Sequence, residues 1–484
     1  MRHLFLRITW AVIVSAGCRI NTAQAQLLTP QIRQQLQAEL DYVPAFYNVK
    51  GVAAAVILPD SSMWMGAAGL STASPPDSLR PEMTFGIASL TKNFVSALTL
   101  RYVQQGLLQL DGPIGPYLPA WARVPAIDST ITIRQLLNHT NGLGNYQQTR
   151  GYRLAYFDSA ATYTLPLRQL IGYFPPMAAA PGARYSYGNG SYVLLGAIIE
   201  HLRNQPFPDV IRQELLLPLG LQNTFFSYYH PWPAGLTEAH SWGNNRGVSR
   251  DITLESRNLL FSSYGPSGGL MSTPADVARW SRALFTGAVI DSARLVEMTT
   301  ATPPFPSYGL GLIKISLGYG RFGWGHLGFI PGCLAIYVYE PTCNIGIAVM
   351  LNDDRAPHAR RKIAWRLYNM VLRRPICNRP APPLGVDDEG ALGADPDYLD
   401  LQIAPNPVAA AEGATIHYTC PPGTRTASLL VRDATGRLVR SIQLSPVATT
   451  LTLATNGLPA GVYTCQLQLD NTQLSYTEQL VIAP

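Results

Sequence analysis

The sequence predicts two folded units: an α/β (α+β) sandwich, an antiparallel sheet flanked by helices, followed by a small all-β C-terminal sandwich. Three observations carry that expectation. β-rich runs stand on both sides of a middle with helical periodicity, composition changes after Arg374, and beyond Asp400 the apolar period becomes two. At 484 residues the chain is also long for one ordinary domain.

The elements follow in chain order. Arg2 and Arg7 flank the start, an apolar run spans Ile8 to Ala16, and Ala23-Gln24-Ala25 offers small residues for cleavage, so residues 1–25 read as a secretory signal peptide. No other apolar stretch approaches a membrane span, so no transmembrane segment is expected in the mature chain. A helix is expected from Thr29-Pro30, where Thr can cap and Pro suits the first helical position. Gly51 to Leu58, the turn Pro59-Asp60-Ser61-Ser62, and Met63 to Ala67 read as an antiparallel hairpin. After Ser89 the apolar residues Phe94, Ala97, Leu98 and Tyr102 recur at helical spacing, and a further helix is expected from Tyr192 to Leu202. Leu334–Tyr339 and Ile345–Leu351 read as a late hairpin. The first folded unit is thus bounded at 26–374.

Residues 375–400 are rich in Pro, Gly, Asp and Ala without an apolar period and read as a linker. In the tail, 401–484, Tyr463, Cys465, Leu467 and Leu469 alternate with Thr464, Gln466, Gln468 and Asp470, giving one buried and one wet face. Thr435-Gly436 separates two further strand-like runs.

Composition narrows the function. Hydrophobic residues at 47% and charged residues at 14% describe a globular protein. The net charge of +6 is spread without a dense basic block, which argues against nucleic acid as a partner. Removing the signal leaves Cys333, Cys343, Cys377, Cys420 and Cys465, an odd number without metal-ligand spacing. Most are expected as buried thiols, and Cys420 and Cys465 lie close enough in sequence to pair.

The chemistry begins at Ser89-Leu90-Thr91-Lys92. A Ser and a Lys three apart share one helix face, and a Ser at a helix start sits where free N–H groups favour developing negative charge. A desolvated Lys can take the Ser proton and turn a weak nucleophile into a competent one. Taken alone, the pattern equally describes a capping Ser and a solvated Lys. Two later features, Tyr187-Gly188-Asn189 and His326-Leu327-Gly328, change the weighting.

With these three motifs in this order, the chain resembles the serine β-lactamase superfamily, particularly class C β-lactamases, DD-peptidases and related esterases. The segments Ile131-Thr132-Ile133-Arg134-Gln135-Leu136-Leu137-Asn138-His139-Thr140-Asn141-Gly142-Leu143 and Gly268-Gly269-Leu270-Met271-Ser272-Thr273 are similar to further stretches of that family, and the resemblance covers roughly Leu27 to Leu372. It implies a β-lactamase/transpeptidase-like fold and a serine hydrolase working through an acyl-enzyme on Ser89. Lys92 and Tyr187 would share proton transfer, with Tyr187 as base toward water, and Asn189 would bond Lys92 or the substrate amide. His326 would line the opposite wall, Gly328 would contact substrate, and the N–H groups of Ser89 and Phe329 would form the oxyanion hole. His139 reads as structural. Leu327, where relatives carry Ser or Thr, and His326, where many carry Lys, weaken the expectation of carboxylate recognition. An uncharged ester, amide or small peptide therefore stands beside a β-lactam or D-Ala peptide as substrate. The alternative class is a non-catalytic, penicillin-binding-like protein that binds cell-wall peptides.

Gly265-Pro266-Ser267-Gly268-Gly269 also satisfies GxSxG, but that elbow needs a strand before it and a helix after it. No GxGxxG, Walker loop or HExxH accompanies the motifs, so neither organic cofactor nor catalytic metal is expected. The tail resembles the C-terminal sorting domain of type IX secretion in Bacteroidetes, on Pro405-Asn406-Pro407, Val431-Arg432-Asp433-Ala434-Thr435-Gly436-Arg437 and Leu458-Pro459-Ala460-Gly461-Val462-Tyr463. That resemblance implies type IX machinery as a partner, and a secreted or cell-surface location reached through the periplasm.

Overall fold

The computed structural model describes residues 27–372 and 400–483, apart from 159–162, 246–247, 254–256, 302–306, 319, 405–407, 410–412, 420–425, 434, 446–449 and 470–474. The expected signal peptide and all of the expected linker except Asp400 lie outside the described residues.

The first unit is built on a sheet ordered Pro76–Ser78, Met63–Ala73, Gly51–Ile57, Ile345–Leu351, Cys333–Glu340, Phe322–Ile330, Ile313–Ser316. Each pairing in it is antiparallel. Both expected hairpins form, the first one longer than read from sequence. Val52 lies opposite Leu351, so the two ends of the unit meet at the sheet centre and the helical middle is an excursion between them.

Strand Gly51–Ile57 is buried at every position because both sheet faces are covered. The two-residue period then divides its side chains. Ala53, Ala55 and Ile57 join one core with Tyr337, Met350, Val277 and Leu284, beneath helices Thr91–Gln104, Gly190–Arg203 and Pro274–Phe285. Val52, Ala54 and Val56 join the other with Ile336, Val349, Leu36, Leu40, Ile363 and Leu367, beneath helices Pro30–Phe46 and Ala359–Leu372. Each fully buried Leu, Ile or Val contributes about 1.5–3 kcal/mol, which makes these two cores the main stabilising feature. At the first helix Thr29 Oγ1 accepts the Ile32 N–H at 3.4 Å and Pro30 opens the helix, as its sequence predicts.

The tail forms two sheets. One orders Asp400–Ala404, Ala414–Thr419 and Thr450–Leu453; the other orders Val408–Ala409, Ser475–Ala483, Gly461–Leu469, Ala427–Arg432 and Leu438–Leu444. Ile416, Leu429, Val431, Leu453, Tyr463, Cys465 and Leu467 fill its core, the alternation expected from sequence.

Cys333 is a buried thiol against Ser241 Oγ at 3.2 Å, but Cys343 is disulfide-bonded rather than a buried thiol. Cys420 and Cys377 lie outside the described residues, so the suggested Cys420–Cys465 pairing does too. Among the described residues no helix is long and apolar enough to cross a membrane.

Candidate active site

Ser89 stands where a short strand turns into a helix. Phe85–Gly86 pairs with Leu270–Ser272, a 3-10 turn follows over Ala88–Leu90, and helix Thr91–Gln104 continues from it. Ala88 has φ 48, a left-handed conformation that costs a non-glycine residue energy and marks a turn held by its surroundings. Ser89 remains partly exposed on this turn, whereas Lys92, three residues on, is fully buried.

The Lys92 Nζ lies 3.0 Å from Ser89 Oγ, 2.9 Å from Asn189 Oδ1 and 2.7 Å from the Ser267 carbonyl oxygen. No carboxylate pairs with it among the described residues, and burial holds its pKa well below the usual lysine range. Asn189 precedes helix Gly190–Arg203 without capping it, which releases its side chain. Its Oδ1 faces Lys92 while its Nδ2 donates to Gln147 Oε1 at 2.7 Å. Tyr187 lies at the mouth, 43% exposed, its ring face 4.8 Å from Nζ.

His326 is buried on the site-facing side of strand Phe322–Ile330. Its Nδ1 lies 2.7 Å from the Leu327 carbonyl and its Nε2 3.2 Å from Tyr308 Oη, so both nitrogens are engaged within the protein. Burial, then the charge of Lys92, pushes its pKa down to about 3, against the opposing Leu327 carbonyl. His139, also buried, is lowered well below the histidine range by burial and then by Lys92 and His326. Below about pH 6.5 the unfolded chain binds protons that these two folded imidazoles do not. Stability is therefore expected to fall as pH drops from about 6.5 toward His326's folded value, by up to about 1.4 kcal/mol per pH unit per histidine. Thermal melts across that range check this, and a flat melting temperature would contradict it.

Leu327 points the other way, into the core under the two covering helices. Its lack of a hydroxyl is thus a packing feature and removes no group from the cleft, which corrects the weight given to it from sequence. A Cβ on Gly328 would come within 2.4 Å of the Ile87 carbonyl oxygen, so only glycine lets this strand approach the nucleophile turn so closely. Ile330 pairs with Cys333 across the two-residue connection Pro331-Gly332, and alternation along the ladder turns the Phe329 N–H outward, away from Cys333–Glu340.

Ser267 has the reverse of the elbow context, a helix before it (Arg257–Tyr264) and a strand, Leu270–Ser272, after it. Its buried Oγ donates to the Tyr264 carbonyl at 2.6 Å while its own carbonyl holds Lys92. The structure thus brings Ser89, Lys92, Tyr187 and Asn189 together, with His326 behind them. Sequence reasoning missed Gln147, Tyr308 and the Ser267 carbonyl; each arrives through folding over long separations, and no local pattern announces them.

The D-alanyl-D-alanine-carboxypeptidase/endopeptidase of Escherichia coli (strain K12) is 28% identical over 221 residues, 43% of this chain and 50% of that protein, so this chain matches half of that relative's length. Penicillin-binding protein 4 of Amycolatopsis lactamdurans is 27% identical over 296 residues, 60% of this chain and 73% of that one. The solved D-stereospecific amidohydrolase from Streptomyces sp. superposes with a TM-score of 0.58 at 26% identity, over 68% of this chain and 97% of that one. Residues 402–483 match the secretion system C-terminal sorting domain. Residues 32–369 match the Beta-lactamase family, and since that match spans most of its length this chain belongs to that family.

Proposed function

We propose that this protein is an exported hydrolase that cleaves an ester or amide bond through an acyl-enzyme on Ser89. The observation that carries the reading is a fully buried lysine, with no counter-charge among the described residues, in hydrogen-bond contact with an accessible serine. A neutral Lys92 amine has two protons and one lone pair. The protons suit Asn189 Oδ1 and the Ser267 carbonyl, and the lone pair then accepts from the Ser89 hydroxyl. That is the arrangement a general base needs.

As Ser89 Oγ attacks the carbonyl, Lys92 takes its proton, and the N–H groups of Ser89 and Phe329 receive the developing oxyanion. Lys92, now charged under the Tyr187 ring, favours loss of the Tyr187 proton, so Tyr187 serves as the outward relay to the leaving group. Lys92 then passes the Ser89 proton to the Tyr187 phenolate, which leaves both neutral; in deacylation the pair accepts the proton of the attacking water, and Lys92 returns it to Ser89 Oγ as the acyl–oxygen bond breaks. The outward strand edge at Gly328 and Phe329 would align the substrate.

Relatives named for D-alanyl peptides and D-stereospecific amides make those bonds the first to test. His326, neutral and bonded at both nitrogens, offers no fixed cation, which supports substrates with uncharged ends. A panel of p-nitrophenyl esters, D-amino acid amides, D-Ala-D-Ala peptides and nitrocefin tests this, with Ser89→Ala as the blank. Turnover of at least one class is expected. Peptide binding without turnover or acylation would overturn the reading and support the non-catalytic alternative.

The tail supports delivery through type IX secretion to the medium or the cell surface. A chain truncated after residue 400 is expected to stay in the periplasm while retaining activity. Unimpaired release of the truncated chain would contradict that route.

A further inference from the structure

We propose that Tyr308 is a positioning residue whose one hydroxyl, shared by two imidazoles, holds the second and third motifs in register across the cleft. The inference rests on the Ser89 reading for its catalytic consequence, not for its geometry.

Tyr308 is buried at 2% exposure, and its Oη lies 3.1 Å from His139 Nε2 and 3.2 Å from His326 Nε2. The segment carrying it presses against the nucleophile helix. At Gly311, φ 79, a Cβ would come 2.0 Å from Ser96 Oγ. The directions of the bonds joining His139, Tyr308 and His326 then follow from the two ends, with Tyr192, whose hydroxyl donates to the Leu137 carbonyl, beside Tyr308.

At one end the Leu327 carbonyl can only accept, so His326 Nδ1, 2.7 Å away, carries the proton. The neutral ring's Nε2 is therefore bare, and the Tyr308 hydroxyl donates to it. The Tyr308 oxygen in turn accepts from His139 Nε2–H. His139 Nδ1 is then bare and accepts the Gly188 N–H, 3.4 Å away, which can only donate. Ser191 Oγ, also 3.4 Å from that nitrogen, accepts from Asn141 Nδ2 at 2.8 Å and can donate to His139 as well.

The result is a one-way chain: Gly188 N–H to His139, to Tyr308, to His326, to the Leu327 carbonyl. It carries no charge, and each nitrogen and oxygen along it has a partner, as a buried polar network requires. It runs from the backbone of Tyr187-Gly188-Asn189 to the backbone of His326-Leu327-Gly328, two segments joined by no sheet pairing. The His139 ring also packs against Tyr187, tilted by 46° with centroids 4.4 Å apart, so the same chain fixes the side chain at the mouth.

Without the Tyr308 hydroxyl, an N–H on His139 and a lone pair on His326 face each other unpartnered in the interior. Reorganisation there moves Tyr187 and the Phe329 N–H, and misplacement of about 1 Å costs about 100-fold in rate. Two measurements test the proposal. Nitrogen NMR of wild-type imidazoles is expected to show His326 protonated at Nδ1 and His139 at Nε2; the opposite tautomer at either ring overturns the chain whether or not any variant folds. Tyr308→Phe is expected to lower kcat on a p-nitrophenyl ester about 100-fold with little change in KM, and to alter the His326 signals. Tyr102→Phe, which removes the hydroxyl of another buried tyrosine, bonded to Glu214 at the other end of the helix, is the control for general destabilisation. A Tyr308→Phe enzyme with wild-type kcat, or one whose loss is matched by Tyr102→Phe, overturns the positioning role. If the wild type turns over and is acylated by none of the panel substrates, the Ser89 reading fails, and the tautomers still decide the chain.

Discussion

Ser89→Ala is expected to lower kcat/KM by about 10⁴-fold or more while leaving the fold intact. The Ser89 hydroxyl makes its one observed contact with Lys92, and Lys92 keeps Asn189 and the Ser267 carbonyl when that hydroxyl is gone. Stability should therefore change by no more than about 1 kcal/mol, the net worth of a single hydrogen bond. Turnover of the best ester, read beside a thermal melt, checks both halves. Ser267→Ala provides the contrast. It removes the bond from Ser267 Oγ to the Tyr264 carbonyl but preserves the backbone carbonyl that holds Lys92. Its cost should appear as about 1 kcal/mol of stability and not as loss of acylation. Activity surviving Ser89→Ala and vanishing in Ser267→Ala would reverse the assignment of the nucleophile.

Lys92→Arg is expected to lose about 10³-fold or more in kcat although the positive charge is kept. A guanidinium cannot give up its proton in a protein, so it cannot serve as base toward Ser89. It is also larger than the fully buried space that Lys92 fills, so the melting temperature should drop as well. In the wild type, the lowered lysine pKa places the neutral, competent form at lower pH than for an exposed lysine. Activity should rise with pH through that value and level off once Lys92 is neutral. A pH–rate profile with the rising limb present in the wild type, and the residual activity of Lys92→Arg lacking it, would establish the role. An unchanged limb in the variant would assign that limb to another group.

Much of the framework was legible because it depends on local chemistry. Thr29-Pro30 begins a helix because capping and a fixed φ act within one turn. Gly51–Ile57, all but the last residue of the expected run, forms a strand because its small and branched side chains suit a ribbon buried on both faces. The order of the three motifs likewise predicted which residues would converge, and Lys92 meets both Ser89 and Asn189.

What escaped the sequence is non-local. The Ser267 carbonyl that anchors Lys92 is 175 residues away along the chain, and the oxygen belongs to the backbone, which any residue type provides. Tyr308 and His139 are 169 residues apart, and Tyr308 was one of 24 tyrosines. Leu327 misled because a residue's face cannot be assigned until the strand's register is known; here that face belongs to the core. Nor could the sequence say which cysteine pairs, since that depends on distance in space; Cys343 does.

The most direct measurement is mass mapping of the intact protein after reaction with a fluorophosphonate. The single adduct should fall on the peptide containing Ser89, appear more slowly in Lys92→Arg, and be absent in Ser89→Ala. An adduct on Ser267, or a folded protein that takes up no probe at any pH where Lys92 is neutral, would contradict the Ser89–Lys92 mechanism.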